Sequence, residues 1–168
     1  IWSWLKCGYM EDGKYYNTKT GQVQGGVISP LLANIYLNEL DWELHKAKIY
    51  FVRYADDFLL FCETEEEVTR AGNIAKSVIE SLGLEVAMNK TKVVDFKNDD
   101  FDFLGFHFNH WKTSKKGNDY YSIVPTEKSV KTFKKAIKDK TQRIWTKPKE
   151  EWIKDINPII VGKTNYYL

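Results

Sequence analysis

Asp56 and Asp57 stand side by side between two apolar, β-prone runs, Phe51-Val52-Arg53-Tyr54 and Phe58-Leu59-Leu60-Phe61. Buried strands do not normally carry two neighbouring carboxylates, because an unpaired buried charge is costly. A hairpin tip that holds a divalent cation removes the objection. Magnesium prefers hard oxygen ligands and usually takes one or two protein carboxylates plus substrate phosphates. The pair therefore reads as a metal platform aimed at phosphates, and phosphates suggest nucleotides. The plainer alternative is an exposed acidic turn.

Positioning such a pair calls for a hairpin over residues 51–61 and for elements that pack against it. Ser29 is a good N-cap with Pro30 at the first helical position, and the spacing of Leu32, Ile35, Tyr36, Leu40 and Leu44 predicts a helix to about His45. Val68, Ala71, Ile74, Ala75, Val78 and Leu82 mark one face of a second helix, Glu65 to Leu82, closed by Gly83. Strands are expected at 14–18, 84–87, 91–95 and 120–124, with an aromatic strand at 101–108 broken at Gly105. Turns are expected at Thr20-Gly21 and Asn89-Lys90, a flexible loop at Gln24-Gly25-Gly26, and polar loops at 98–100 and 109–119. Residues 1–8 read as the tail of a helix ending at Gly8. Val130, Phe133, Ile137 and Ile144 mark a long basic helix from about Thr126 to Trp145, and a second one is expected at 149–156 after Pro148. This order predicts an α+β fold: an antiparallel sheet with helices on one face, akin to a split βαβ unit, then a lysine-rich helical segment.

Charge is distributed unevenly. Residues 109–168 hold 14 Lys or Arg against 6 Asp or Glu, a balance of +8, and residues 1–108 hold 11 against 17, a balance of −6. An acidic platform followed by a basic arm suits a protein that holds cations in one part and a polyanion in the other; a solvated lysine-rich face is the plainer reading. Cys7 and Cys62 form no paired metal spacing and no disulfide framework, so they read as reduced core thiols of a cytosolic protein. His45, His107 and His110 lack zinc-site companions, and His107 reads as a satisfied packing residue. No apolar run is long enough to span a bilayer, and nothing resembles a signal peptide.

Four motifs occur in one order: Gln24-Gly25-Gly26-Val27-Ile28-Ser29-Pro30-Leu31-Leu32-Ala33-Asn34-Ile35, Tyr54-Ala55-Asp56-Asp57, Lys90-Thr91-Lys92 and Phe103-Leu104-Gly105-Phe106. Together they closely resemble the reverse transcriptases encoded by bacterial group II introns. The segment Ile156 to Tyr167 is similar to the thumb, or maturase, region of those proteins. The resemblance implies a polymerase palm at 1–124 and the start of a thumb at 125–168.

Roles carried over from the resemblance are specific. Asp56 and Asp57 match the metal-binding aspartates of a two-magnesium site, in which the ions sit about 4 Å apart. Gln24, Gly25 and Gly26 match the loop against the incoming nucleotide and template, and Tyr54 and Ala55 are counted with them as nucleotide- and template-binding residues. Lys90 matches a lysine near the nucleotide phosphates, placed to act as a general acid on pyrophosphate. Phe103, Leu104 and Gly105 match the strand that supports the primer end. Arg53 and Tyr54 are expected to help fix the hairpin. Lys128, Lys131, Lys134, Lys135 and Lys138 match the thumb helix that tracks the duplex, meeting phosphates without reading sequence. Implied partners are an RNA template, a DNA primer, deoxynucleotides and intron RNA, in a bacterial cytoplasm and away from membranes.

Val23 departs from the pattern, which usually has proline before Gln24, and so does Ala87, where a small polar residue is more usual. The resemblance also implies a further catalytic aspartate, and the template-gripping fingers, upstream of residue 1. The chain then reads as part of a polymerase, with an incomplete metal site, inactive alone, and with an exposed sheet edge open to self-association. The competing readings are a maturase-type module that grips intron RNA without polymerising, and a reverse transcriptase of another bacterial retroelement.

Overall fold

The structure is a computed structural model that describes residues 6, 8–17, 27–112, 119–141 and 148–167. The expected helix at 1–8 lies mostly outside these residues, and the 20–21 turn and the Gln24-Gly25-Gly26 loop lie wholly outside. The chain forms two compact units, Ile1–Lys92 and Val93–Leu168. The described residues are mixed helix and small antiparallel sheets, as the α+β reading expects, but the strands fall into three sheets rather than one.

The first unit contains β1 (Tyr9–Glu11), β2 (Lys14–Tyr16), α1 (Ser29–Lys46), β3 (Tyr50–Tyr54), β4 (Asp57–Phe61) and α2 (Glu65–Ser81). β1 and β2 pair across a two-residue turn, Asp12-Gly13, both residues having positive φ (49° and 75°). That geometry is the type I′ turn favoured by Asp-Gly. Strand β1 was not anticipated, although Asp12-Gly13 between aromatic-rich runs was its signal. β3 and β4 pair antiparallel from Tyr50↔Phe61 to Tyr54↔Asp57.

The core of this unit follows the periodic faces in part: Leu40, Leu44, Ala71 and Ala75 are buried as expected, whereas Ile35 and Tyr36 are exposed and Ile79 joins the core. Leu40, Leu44, Ile49, Ala71, Ala75 and Ile79 are buried together, with Phe51, Phe58, Leu60, Cys62 and Val86 packed against them. Full burial of Leu40 and Leu44 contributes about 1.5–3 kcal/mol each. Burial also pushes the Cys62 thiol above its ordinary pKa, as expected of an unreactive core cysteine.

α2 is bounded by its own chemistry. Thr64 caps it by accepting from the Glu67 amide at 3.2 Å, and the Glu67 carboxylate accepts from the Glu63 amide at 2.9 Å. Glu65, Glu66 and Glu67 lie in the first turn, where the helix dipole favours negative charge. Gly83, at φ 70°, ends the helix as anticipated. The α1 boundary differs: the cap falls at Ile28 and Ser29 is already helical, so Ser29 is not the N-cap.

Residues 84–87 and 91–95, expected as strands, are irregular around a Met88–Lys90 turn. Val93 is largely exposed, and a lone run of β-branched residues does not form a strand without a partner ladder.

The second unit contains β5 (Phe101–Phe103), β6 (Phe106–Lys112), β7 (Asp119–Pro125), α3 (Glu127–Thr141) and α4 (Lys149–Tyr167). Gly105 does not merely break a strand. Leu104 and Gly105, with φ of 51° and 81°, form the two-residue turn of a hairpin closed by Phe103↔Phe106. β6 then runs to Lys112 and β7 begins at Asp119, which shortens the expected loop at both ends. Rings order this sheet: Phe101 stacks on Phe108 at 4.8 Å, and Phe96 and His110 stack on Tyr121.

α3 ends at Thr141 within the described residues, so the Ile144 end of its expected span lies outside them. α4 does not stop at 156. It continues through Pro158 to Tyr167. Proline in a helix interior costs about 3 kcal/mol. Here the rest of the helix is held by what Tyr166 and Tyr167 reach. His107, expected to pack, is instead half-exposed and bound to Asp102 on the neighbouring strand.

Candidate active site and nucleic-acid surfaces

The β3–β4 hairpin presents the two carboxylates as the sequence required. Tyr54 pairs with Asp57, so Ala55 and Asp56 alone make the turn. Ala55 sits at φ 54°, in the left-handed region that L-residues enter at a cost of roughly 1–2 kcal/mol. Asp56 in the turn and Asp57 at the first position of β4 are both exposed, as is Tyr54. Inward, the alternation of β3 brings Phe51 and Arg53 to the helix side.

Arg53 anchors the turn. Its Nε donates to Asp41 Oδ1 at 2.7 Å and its Nη2 to Asp41 Oδ2 at 2.5 Å. Its Nη1 donates to Asn34 Oδ1 at 2.9 Å and to the Ala55 carbonyl at 2.8 Å. Hydrogen bonding to Asp41 raises the guanidinium pKa still further, so its charge is permanent. Asp41 and Asn34 both lie on α1. Sequence reading singled out Arg53 but missed Asp41, which no local spacing ties to the hairpin.

Among the described residues, no group of three or more His, Cys, Asp or Glu could hold a metal ion. Asp56 and Asp57 supply hard oxygen donors, exposed and adjacent, which suits a magnesium ion whose other ligands are water and substrate phosphate. Lys90 is exposed in its own turn, where its amide donates to the Ala87 carbonyl at 2.9 Å. Gln24, Gly25 and Gly26 lie outside the described residues.

Phe103, Leu104 and Gly105 form a second tip, in the second unit. The Gly105 carbonyl accepts from the Thr126 amide at 2.9 Å, from Ser129 Oγ at 3.3 Å and from the Tyr167 hydroxyl at 3.4 Å. The Tyr166 hydroxyl donates to the Leu104 carbonyl at 2.7 Å. Phe106 packs on the Tyr166 and Tyr167 rings at 5.3 and 4.9 Å. Two helices, α3 and α4, and the Thr126 link before α3 therefore hold a turn with two left-handed residues. An open cleft beside it is lined by Asp102, Thr126, Lys128, Ser129, Thr132 and Lys163 among others.

All five candidate lysines of α3 are exposed. At 3.6 residues per turn, Lys128, Lys131, Lys134, Lys135 and Lys138 occupy an arc of about 120°. Val130, Phe133 and Ile137 fall on a separate arc of about 60°. Lys131 is paired with Glu127 at 3.0 Å, and that hydrogen bond lowers the Glu127 pKa.

The family model for reverse transcriptase (RNA-dependent DNA polymerase) matches residues 1–108. The chain belongs to that family. The match spans the Gln24–Gly26, Tyr54–Asp57, Lys90 and Phe103–Gly105 motifs, so the resemblance read from their order holds. Among curated relatives, the group II intron-encoded protein LtrA of Lactococcus lactis is 39% identical over 46% of this chain and 13% of its own length. Protein YkfC of Escherichia coli is 31% identical over 77% of this chain and 43% of that protein. Retron Ec86 reverse transcriptase of Escherichia coli is 33% identical over 40% of this chain and 22% of its own length. The chain thus spans less than half the length of each. No described helix is long and apolar enough to cross a membrane.

Proposed function

We propose that this chain supplies the palm of an RNA-directed DNA polymerase of the group II intron type, with residues 1–124 as palm and 125–168 as the start of the thumb. The observation that carries the reading is the exposed Asp56-Asp57 pair on a hairpin tip tied to α1 by Arg53, in a chain of the reverse transcriptase family. The proposed palm–thumb division follows function; the compact units divide between Lys92 and Val93.

Asp56 and Asp57 hold the divalent cations, taken to be magnesium. When bound, these neutralise phosphate charge and favour ionisation of the primer hydroxyl. Lys90 meets the nucleotide phosphates and delivers a proton to the departing pyrophosphate. The backbone of Gln24, Gly25 and Gly26 approaches the incoming nucleotide, which side chains at the glycines would obstruct. Phe103, Leu104 and Gly105 support the primer end. Replacing Asp57 with Ala in the complete protein is expected to abolish magnesium-dependent cDNA synthesis, a loss of about a thousandfold or more. Equal synthesis by Asp57→Ala and wild type would refute the reading.

A second role, binding of intron RNA in splicing, is favoured by the lysine arc of α3. It is compatible with the first. Asp57→Ala should then leave splicing intact while cDNA synthesis is lost.

A further inference from the structure

We infer that Asp41 and Arg53 act as a positioning pair that sets the conformation of the turn carrying Asp56 and Asp57, and so tunes how tightly that turn holds a divalent cation. The inference rests on the polymerase reading of the site and adds residues and a task to it.

Geometry carries the argument. Arg53 donates through three nitrogens to two α1 side chains and to one backbone carbonyl, that of Ala55. That carbonyl belongs to the peptide linking Ala55 to Asp56. A fixed carbonyl fixes the peptide plane, and with it the direction from which the Asp56 side chain departs. Ala55 holds a positive φ without being glycine, a conformation that persists only where its surroundings impose it. The Arg53 hydrogen bond is such an imposition.

The chemistry of the pair points the same way. A guanidinium beside two metal-binding carboxylates is a rival for them, because it is itself a strong bidentate carboxylate partner. Asp41 occupies the fork of Arg53, both of its oxygens engaged, and leaves Nη1 for Asn34 and Ala55. The Arg53 side chain is only 10% exposed and that of Asp41 25%, so both charges are partly stripped of water. Ion pairs in such surroundings are weak sources of stability, since desolvation offsets most of the attraction. What this pair provides better is direction. Loss of Asp41 would free a permanent cation three residues from Asp56 and four from Asp57 in sequence, where it competes with the metal.

The test compares Asp41→Asn, Arg53→Lys and Arg53→Gln with wild type in the complete protein, with Asp57→Ala as the control. In the metal-free protein, amide hydrogen exchange at residues 54–57 is expected to quicken about tenfold or more in all three variants, while protection of α2 is retained. In primer extension, the half-saturating magnesium concentration is expected to rise about tenfold or more, with the KM for template–primer unchanged. Lysine should not rescue, because it keeps the charge and loses the fork. Exchange and magnesium dependence of Asp41→Asn within about twofold of wild type would overturn the inference even where Asp57→Ala is inactive. Loss of α2 protection in all three variants would overturn it too, by showing that the pair supports the fold as a whole. If wild type and Asp57→Ala synthesise cDNA equally, or neither does, the polymerase reading falls and the exchange at residues 54–57 alone decides the positioning role.

Discussion

The Asp102–His107 pair shows how a single cross-strand contact sets a charge state. His107 Nδ1 lies 2.6 Å from Asp102 Oδ1, and Asp100 stands 3.9 Å from the other ring nitrogen. The hydrogen bond to Asp102, helped by both carboxylate charges, raises the His107 pKa above its ordinary value. A raised folded-state pKa contributes stability that is fully present below the unfolded value of about 6.5 and is lost as pH rises through the folded value. Thermal unfolding followed from about pH 6 upward should therefore show wild type losing an advantage over His107→Gln. Parallel curves for the two proteins across that range would show that the pair adds nothing. An apolar strand pattern suggests that His107 packs; only the β5–β6 register, which sets it opposite Asp102, reveals its partner. Arg53 teaches the same lesson. Its place beside Asp56 and Asp57 was legible, but Asp41 lies 12 residues earlier on another element, and only tertiary packing joins them.

At the scale of elements, what was legible is what local chemistry decides. α2 follows its sequence signals at both ends because Thr64 and Gly83 are sufficient caps. The β3–β4 hairpin follows because its two apolar runs can pair only with Asp56 near the tip. Elements that depend on distant partners were misjudged. Residues 91–95 have strand-forming side chains and no ladder to join. α4 passes Pro158 because Tyr166 and Tyr167, over two turns beyond it, are engaged with the Leu104–Gly105 turn. That turn yields a sharp expectation. A Cβ at Gly105 would sit 3.0 Å from Ser129 Oγ and 3.1 Å from the Tyr167 hydroxyl, on a backbone at φ 81°. Both hydroxyls can yield a little, whereas the backbone cannot, so Gly105→Ala should destabilise by about 1–2 kcal/mol. Urea unfolding measures this, and a midpoint equal to that of wild type would mean the turn relaxes at no cost.

At the scale of the whole molecule, the uneven charge acquires a surface. The composition of residues 109–168 showed an excess of lysine without saying whether it was scattered or gathered. The helix geometry of α3 gathers five of those lysines on one arc, apart from the arc of Val130, Phe133 and Ile137. Contacts to phosphate are read in the salt dependence of binding, because each phosphate neutralised by a lysine releases condensed counterions. Lys131 already has Glu127 as a partner, so it is the least informative of the five. Lys134 and Lys135 are the better probes, being exposed and set near opposite ends of the arc. For the complete protein binding an RNA–DNA duplex, replacing either with Gln should reduce the magnitude of the log affinity–log salt slope by roughly 0.7–0.9, and replacing both by about twice that. Affinity should fall alike for unrelated duplex sequences, since contacts to phosphate position a protein without specifying bases. A slope that is unchanged in the double variant would remove α3 from the nucleic-acid surface and return its lysines to the role of a solvated face. The reading of the Asp56-Asp57 pair would be unaffected by that outcome, because the pair lies in the first compact unit and its turn is tied to α1 through Arg53.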